Sequence, residues 1–101
     1  MTAPFNQIWI EDMRLVILRS LEQTGGYSCN DSILQDILKT FGHRCSRDQV
    51  RTELSWLKEQ GYLTYEVLST GTYIATITQR GTDVARGDIT VPGIKRPGPG
   101  N

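Results

Sequence analysis

Around Gly61 the hydrophobic period of this chain changes from that of helices to that of strands. Upstream, apolar residues recur at three- and four-residue steps. From Leu63 to Ile77 they alternate: Leu63, Tyr65 and Val67 with Thr64 and Glu66, then Tyr73, Ala75 and Ile77 with Ile74 and Thr76. The segment is rich in β-formers, and Ser69, Thr70, Gly71 and Thr72 divide it as a hairpin turn. An isolated two-stranded hairpin is marginal in water, so it must pack on the helices before it.

Three helices are predicted there. The first runs from about Gln7 to Gln23 and ends at Gly25-Gly26. At 100° per residue, Trp9, Ile10, Met13, Val16, Ile17 and Leu21 form one arc of roughly 140°, and Leu15 and Leu18 fall outside it. Two readings of that surplus stand side by side: scattered exposed leucines, or a dimer interface formed by Trp9, Leu15 and Leu18. The second helix runs from about Asp31 to Phe41, with Asn30 as N-cap and Ile33, Leu34, Ile37, Leu38 and Phe41 as one apolar face. After a short turn, His43-Arg44-Cys45, the segment Ser46-Arg47-Asp48-Gln49 has the form of a capping box. It opens a third helix to about Gln60, with Val50, Leu54 and Leu57 facing inward and a Cys45–Val50 hydrophobic staple expected.

Thr78 is placed to cap a short fourth helix through about Arg86, with Gly81 in its first turn permitting close approach to a neighbour. From Asp88 to Asn101 the chain holds three prolines and three glycines and reads as an extended arm. Its first half is expected to pack through Ile89, Val91 and Ile94, and its last five residues to be mobile. The fold class expected is thus mainly α with a small β-hairpin. Residues 1–87 form the domain and residues 88–101 the arm.

The chain carries 11 Lys+Arg and 11 Asp+Glu, which excludes a polycation that holds nucleic acid by bulk charge. The longest apolar run, Leu15 to Leu18, is far too short to span a bilayer, and no secretory signal is visible. The expected setting is a reducing cytoplasm, with Cys29 and Cys45 as packing thiols. Those two cysteines and the single His43 fall short of four metal ligands, and none stands at a C-x-x-C spacing, so no metal or other cofactor is expected. His43 reads as an exposed turn residue. With no nucleophile–base constellation and no hydrolase, P-loop or dinucleotide motif, the chain is not expected to be an enzyme.

Three helices, a hairpin and a short helix follow the order of a winged helix-turn-helix. Ser46-x-x-x-Val50-x-x-x-Leu54-x-x-Leu57-x-x-x-Gly61-Tyr62-Leu63 resembles the recognition helix and first wing strand of winged-helix regulators. Tyr73-x-x-x-Ile77-Thr78-x-x-Gly81-x-x-x-Ala85 resembles their second wing strand and following helix. Trp56-Leu57-x-Glu59-Gln60-Gly61, Ile77-Thr78-x-Arg80-Gly81 and Val91-Pro92-Gly93-Ile94-Lys95-Arg96-Pro97 look like a group of small proteins from Mu-like phages and prophages. That likeness implies a gene carried by a phage or prophage in a bacterial host.

In this fold the start of the third helix enters the major groove of DNA. The DNA-contacting set expected here is Ser46, Arg47, Arg51, Thr52 and Ser55 on the third helix, with Arg44, Lys95 and Arg96 steadying the backbone. The expected function is a double-stranded-DNA-binding regulator or accessory factor acting as a homodimer, and it requires Arg47 and Arg51 to stand clear of the fold. A protein–protein adaptor of the same fold is the alternative, favoured by neutral charge, a wing tip without Lys or Arg and the surplus apolar surface on the first helix.

Overall fold

In the computed structural model, which describes residues 3–98, the chain forms four α-helices and one three-stranded antiparallel sheet. The order is α1 (Ala3–Gln23), a 3-10 turn (Gly25–Tyr27), β1 (Ser28–Asn30), α2 (Asp31–Thr40), α3 (Arg47–Glu59), β2 (Leu63–Val67), β3 (Tyr73–Ile77) and α4 (Gln79–Arg86). No helix among the described residues is long and apolar enough to cross a membrane.

The expected hairpin is present, with Tyr65 of β2 opposite Ala75 of β3. The third strand was not expected. β1 pairs with the other edge of β3, Cys29 opposite Ala75, and makes β3 central. Three residues are too few to display an alternation, yet they occupy a row of backbone groups that would otherwise lie unpaired.

Helix α1 is the axis of the core. It packs against α2, β3 and α4, and Met13, Leu15, Ile17, Leu18 and Leu21 are all buried. This corrects the dimer interface expected through Leu15 and Leu18. Those leucines are 3% and 0% exposed within the single chain, so neither projects from the surface towards a second subunit. A helix enclosed on several sides is apolar round most of its circumference, and a narrow stripe underestimates its buried face. Trp9 and Val16, from the expected inner arc, are only half-buried at the edge of the core.

Helix α2 buries Leu34 and Leu38, but Ile33 and Phe41 of its expected apolar face lie in solvent. Helix α3 opens with the capping box read from the sequence. Ser46 Oγ accepts from the Gln49 N–H at 3.1 Å, and Gln49 Oε1 accepts from the Ser46 N–H at 2.9 Å. Val50 is buried and Cys45 half-buried. In α4, Thr78 Oγ1 accepts from the Gly81 N–H at 3.1 Å and donates to the Gly61 carbonyl at 2.7 Å. Gly81 permits that approach: a methyl group there would overlap the Tyr62 carbonyl oxygen and lie 2.8 Å from Ile77 Cγ1.

The arm folds back along α1. Ile94 is buried and Val91 packs against the core, whereas Ile89 keeps 36% of its surface exposed. The Lys95 N–H donates to the Glu11 carbonyl at 3.2 Å, and Arg14 Nη1 donates to the Gly93 carbonyl at 2.9 Å. The same guanidinium lies 3.6 Å over the Trp56 ring and donates from Nε to Glu53 at 2.6 Å. Gly93 has a φ of +87°, and a methyl group there would lie 2.7 Å from the Trp56 ring. Trp56 is therefore a core-edge residue clasped between α1 and the arm. Of the five terminal residues expected to be mobile, Pro97 lies close enough to Gly87 that an added methyl would meet its ring at 3.5 Å. Residues 99–101 lie outside the described residues.

Candidate functional site

The start of α3 stands out of the fold. Val50, Leu54 and Leu57 anchor its inner side, while Ser46, Arg47, Asp48, Gln49 and Thr52 are exposed. The reciprocal cap holds this first turn in helical geometry before any partner arrives. Ser46, expected to contact DNA, has its hydroxyl occupied as acceptor in that cap.

Arg51 departs from expectation. It does not project freely; its Nε donates to Asp31 Oδ2 at 2.8 Å, and its Nη2 donates to the Gly71 carbonyl at 3.0 Å. Its guanidinium also lies 4.7 Å from the Tyr73 ring centroid. Asp31 is fully buried at the first position of α2, with Oδ1 lacking a hydrogen-bond partner among the described residues. Arg51 thus ties together the start of α2, the body of α3 and the hairpin turn. A buried carboxylate needs a cation, and the side chain that supplies it is spent on that task.

Arg47 is exposed and makes only polar contacts with α2: Nε donates to Gln35 Oε1 at 3.0 Å and Nη2 to Ser32 Oγ at 3.4 Å. Arg44 is exposed in the turn before the helix. Among the described residues neither arginine has an ion-pair partner. Thr52 is exposed and donates its hydroxyl to the Asp48 carbonyl at 2.9 Å. Ser55 is half-buried, with its hydroxyl 3.2 Å from the Tyr65 hydroxyl, so it faces the hairpin. The hairpin turn carries no charge, and Val67 and Leu68 beside it are exposed.

The chain is 52% identical over 94 residues to uncharacterized protein gp26 of Escherichia phage Mu, covering 93% of this chain and 96% of that protein. It belongs to the Mu gp26 family. An uncharacterized protein of Haemophilus influenzae is 53% identical over 76 residues, covering 75% of this chain and 74% of that one. The likeness to Mu-like phage proteins read from the sequence is therefore upheld. No protein-family model matches the chain, and no solved structure does.

In this gp26-family chain Lys95 and Arg96 do not converge on α3. Lys95 Nζ lies 3.3 Å from Asp12 Oδ1 on α1. Arg96 lines a different hollow, with Arg19, Arg86 and the 3.2 Å partner of Arg86, Glu22. His43, expected in solvent, is buried: its Nε2 lies 2.6 Å from Asp12 Oδ2 and its ring meets Trp9 edge-on at 5.1 Å. Asp12 feels two opposing effects. Burial raises its carboxyl, but hydrogen bonds and charge from His43 and Lys95 outweigh that and hold it below its ordinary value of 3.8. Both cysteines are free, and burial pushes their thiols up, as suits packing residues. Among the described residues no three His, Cys, Asp or Glu side chains converge as a metal site would need.

Proposed function

We propose that this protein binds double-stranded DNA as a winged helix-turn-helix, serving a phage or prophage as a transcriptional regulator or accessory factor. Helix α3 is the reading helix and the β2–β3 hairpin the wing. The observation that carries this reading is the start of α3: a capped helical turn, exposed, flanked by Arg44 and Arg47 without ion-pair partners among the described residues. A guanidinium in that place is suited to guanine N7 and O6 or to phosphate, and Thr52 lies one turn further along the exposed side.

The contact set is narrower than the one read from the sequence: of the two arginines required to stand clear of the fold, Arg47 is exposed and Arg51 is held by Asp31 and the Gly71 carbonyl, so the reading now rests on Arg47 and Arg44. Arg44, Arg47 and Thr52 face the duplex. Arg51 acts as a positioning residue, fixing the wing turn against α3 through the Gly71 carbonyl. Ser46 contributes through the cap and Ser55 through the hairpin. Lys95 and Arg96 lie on other surfaces.

A mobility-shift titration with random duplex at several salt concentrations tests the reading. Arg44→Ala with Arg47→Ala should weaken binding at every salt concentration and flatten the log–log salt slope by about 2, one for each lost phosphate contact. Unchanged binding by that variant removes α3 as the reading surface. The adaptor reading rests on the uncharged wing turn and on exposed Val67 and Leu68 beside it. Absence of binding by the native chain at about 50 mM salt, where electrostatic attraction is strong, would leave the adaptor as the surviving account.

A further inference from the structure

Phe5, Ile8, Trp9, Asp12 and Val16 fall within an arc of about 100° on α1. Phe5 is 89% exposed and Ile8 67% exposed, an unusual display of large apolar side chains on a small domain. Further along the same face, Leu15 and Val16 of α1 and Ile37 and Phe41 at the end of α2 line a hollow of about 440 Å³ together with the polar Asp12, Arg19, Ser20, Gln23, Thr24 and Lys95. Phe41 is itself 65% exposed. One face therefore carries both an apolar projection and a recess in which Val16, Ile37 and Phe41 offer apolar surface beside polar side chains.

We propose that this face docks a second copy of the chain about a two-fold axis, with the two α1 helices antiparallel. A chain cannot fill its own recess, because Phe5 and Val16 are eleven positions apart on one straight helix, on the order of 16 Å. An axis passing near Asp12 sets Ile8 of one copy opposite the partner's Val16 and carries Phe5 into the partner's recess. The two helix dipoles then oppose each other, which is the favourable arrangement. Asp12 at the axis brings no uncompensated charge, because each copy neutralises it with its own Lys95 and holds it against His43.

The area approaches the lower bound of a specific interface. Phe5, Ile8 and Phe41 leave roughly 400 Å² of side chain in water in each copy, hence roughly 800 Å² across the axis. Half-buried Trp9, Val16 and Ile37 and the polar rim carry the total towards the roughly 1,200 Å² at which specific interfaces begin. The isologous form follows from the symmetry: each projection meets the other copy's recess, so the contact closes and does not propagate. The dimer expected from the sequence through Trp9, Leu15 and Leu18 keeps half-buried Trp9 but exchanges the buried leucines for the exposed Phe5 and Ile8 as its anchors.

Sedimentation of the full chain up to high micromolar concentration should give a dimer. Phe5→Asp with Ile8→Asp, at positions that contribute little to the core, should raise the dimer dissociation constant at least about 100-fold while leaving the far-ultraviolet dichroism and melting profile of the monomer intact. Ile8→Cys with Val16→Cys should cross-link between copies on mild oxidation, whereas neither single substitution should do so efficiently. A native chain that stays monomeric overturns the proposal. So does a dimer that survives the double aspartate substitution, and a dimer in which the paired cysteines fail to cross-link rules out the antiparallel arrangement.

Discussion

Replacing Arg51 by alanine strands a carboxylate inside the protein. Asp31 is 0% exposed, and the Arg51 guanidinium is the cation that neutralises it at 2.8 Å. Removing one partner of a buried pair typically costs about 3 to 5 kcal/mol, because the other charge remains without water or counter-charge. Arg51 is itself 31% exposed at its side chain, so solvent reaches the site through the vacancy and the lower end applies. Loss of the bond to the Gly71 carbonyl adds about 1 kcal/mol. The expected total of about 4 kcal/mol is a large share of the roughly 5 to 15 kcal/mol typical of such domains. Urea unfolding followed by tryptophan fluorescence measures it, and the melting temperature should fall by roughly 15 to 30 °C. Asp31→Ala combined with Arg51→Ala should cost less than the sum of the single substitutions, since the double variant holds no orphaned charge. A single-variant loss below about 0.5 kcal/mol, or strict additivity in the cycle, would refute the assignment of Arg51 as the partner of a buried charge. Arg47→Ala is the companion measurement: at an exposed position it should change stability by no more than about 0.5 kcal/mol.

Other outcomes follow from the packing. Leu18→Ala should lower stability by about 2 to 5 kcal/mol in urea titrations without altering the sedimentation behaviour, because Leu18 is core and not interface. Gly81→Ala should lower it by about 2 to 3 kcal/mol or more, since the new methyl overlaps the Tyr62 carbonyl oxygen and the backbone must shift; a melting point equal to the native one contradicts that geometry. Asp12 sits below its ordinary carboxyl value in the folded state, so its contribution is present above about pH 4 and fades as the pH falls through the folded value. The acid limb of stability against pH should accordingly be shallower in Asp12→Asn than in the native chain, and an identical limb would show that His43 and Lys95 do not hold this carboxylate.

Elements governed by neighbours in sequence were readable from the sequence. The α3 cap needs only Ser46 and Gln49, three positions apart, and the β2–β3 hairpin and α4 announce themselves by alternation and by Thr78. Features governed by distant partners were not. Arg51 looks like a free outward arginine until Asp31, twenty positions earlier, arrives beside it. His43 looks like a solvated turn residue until Trp9 and Asp12 of α1 cover it. Leu15 and Leu18 look surplus because a helical projection assumes one buried stripe, whereas α1 is enclosed by α2, α4, β3 and the arm. β1 gave no signal because its three residues are defined by what β3 offers them.

The clasp of α1 by the arm also bears on how the chain reaches this state during synthesis. Arg14 closes on the Gly93 carbonyl across 79 positions. The helix that forms earliest must therefore wait, with part of its apolar surface uncovered, until a segment made far later has left the ribosome. Contacts of such long sequence separation slow folding. Over that interval the nascent chain is open to premature association, and a stop anywhere before Gly93 leaves a product that lacks its own closing strap.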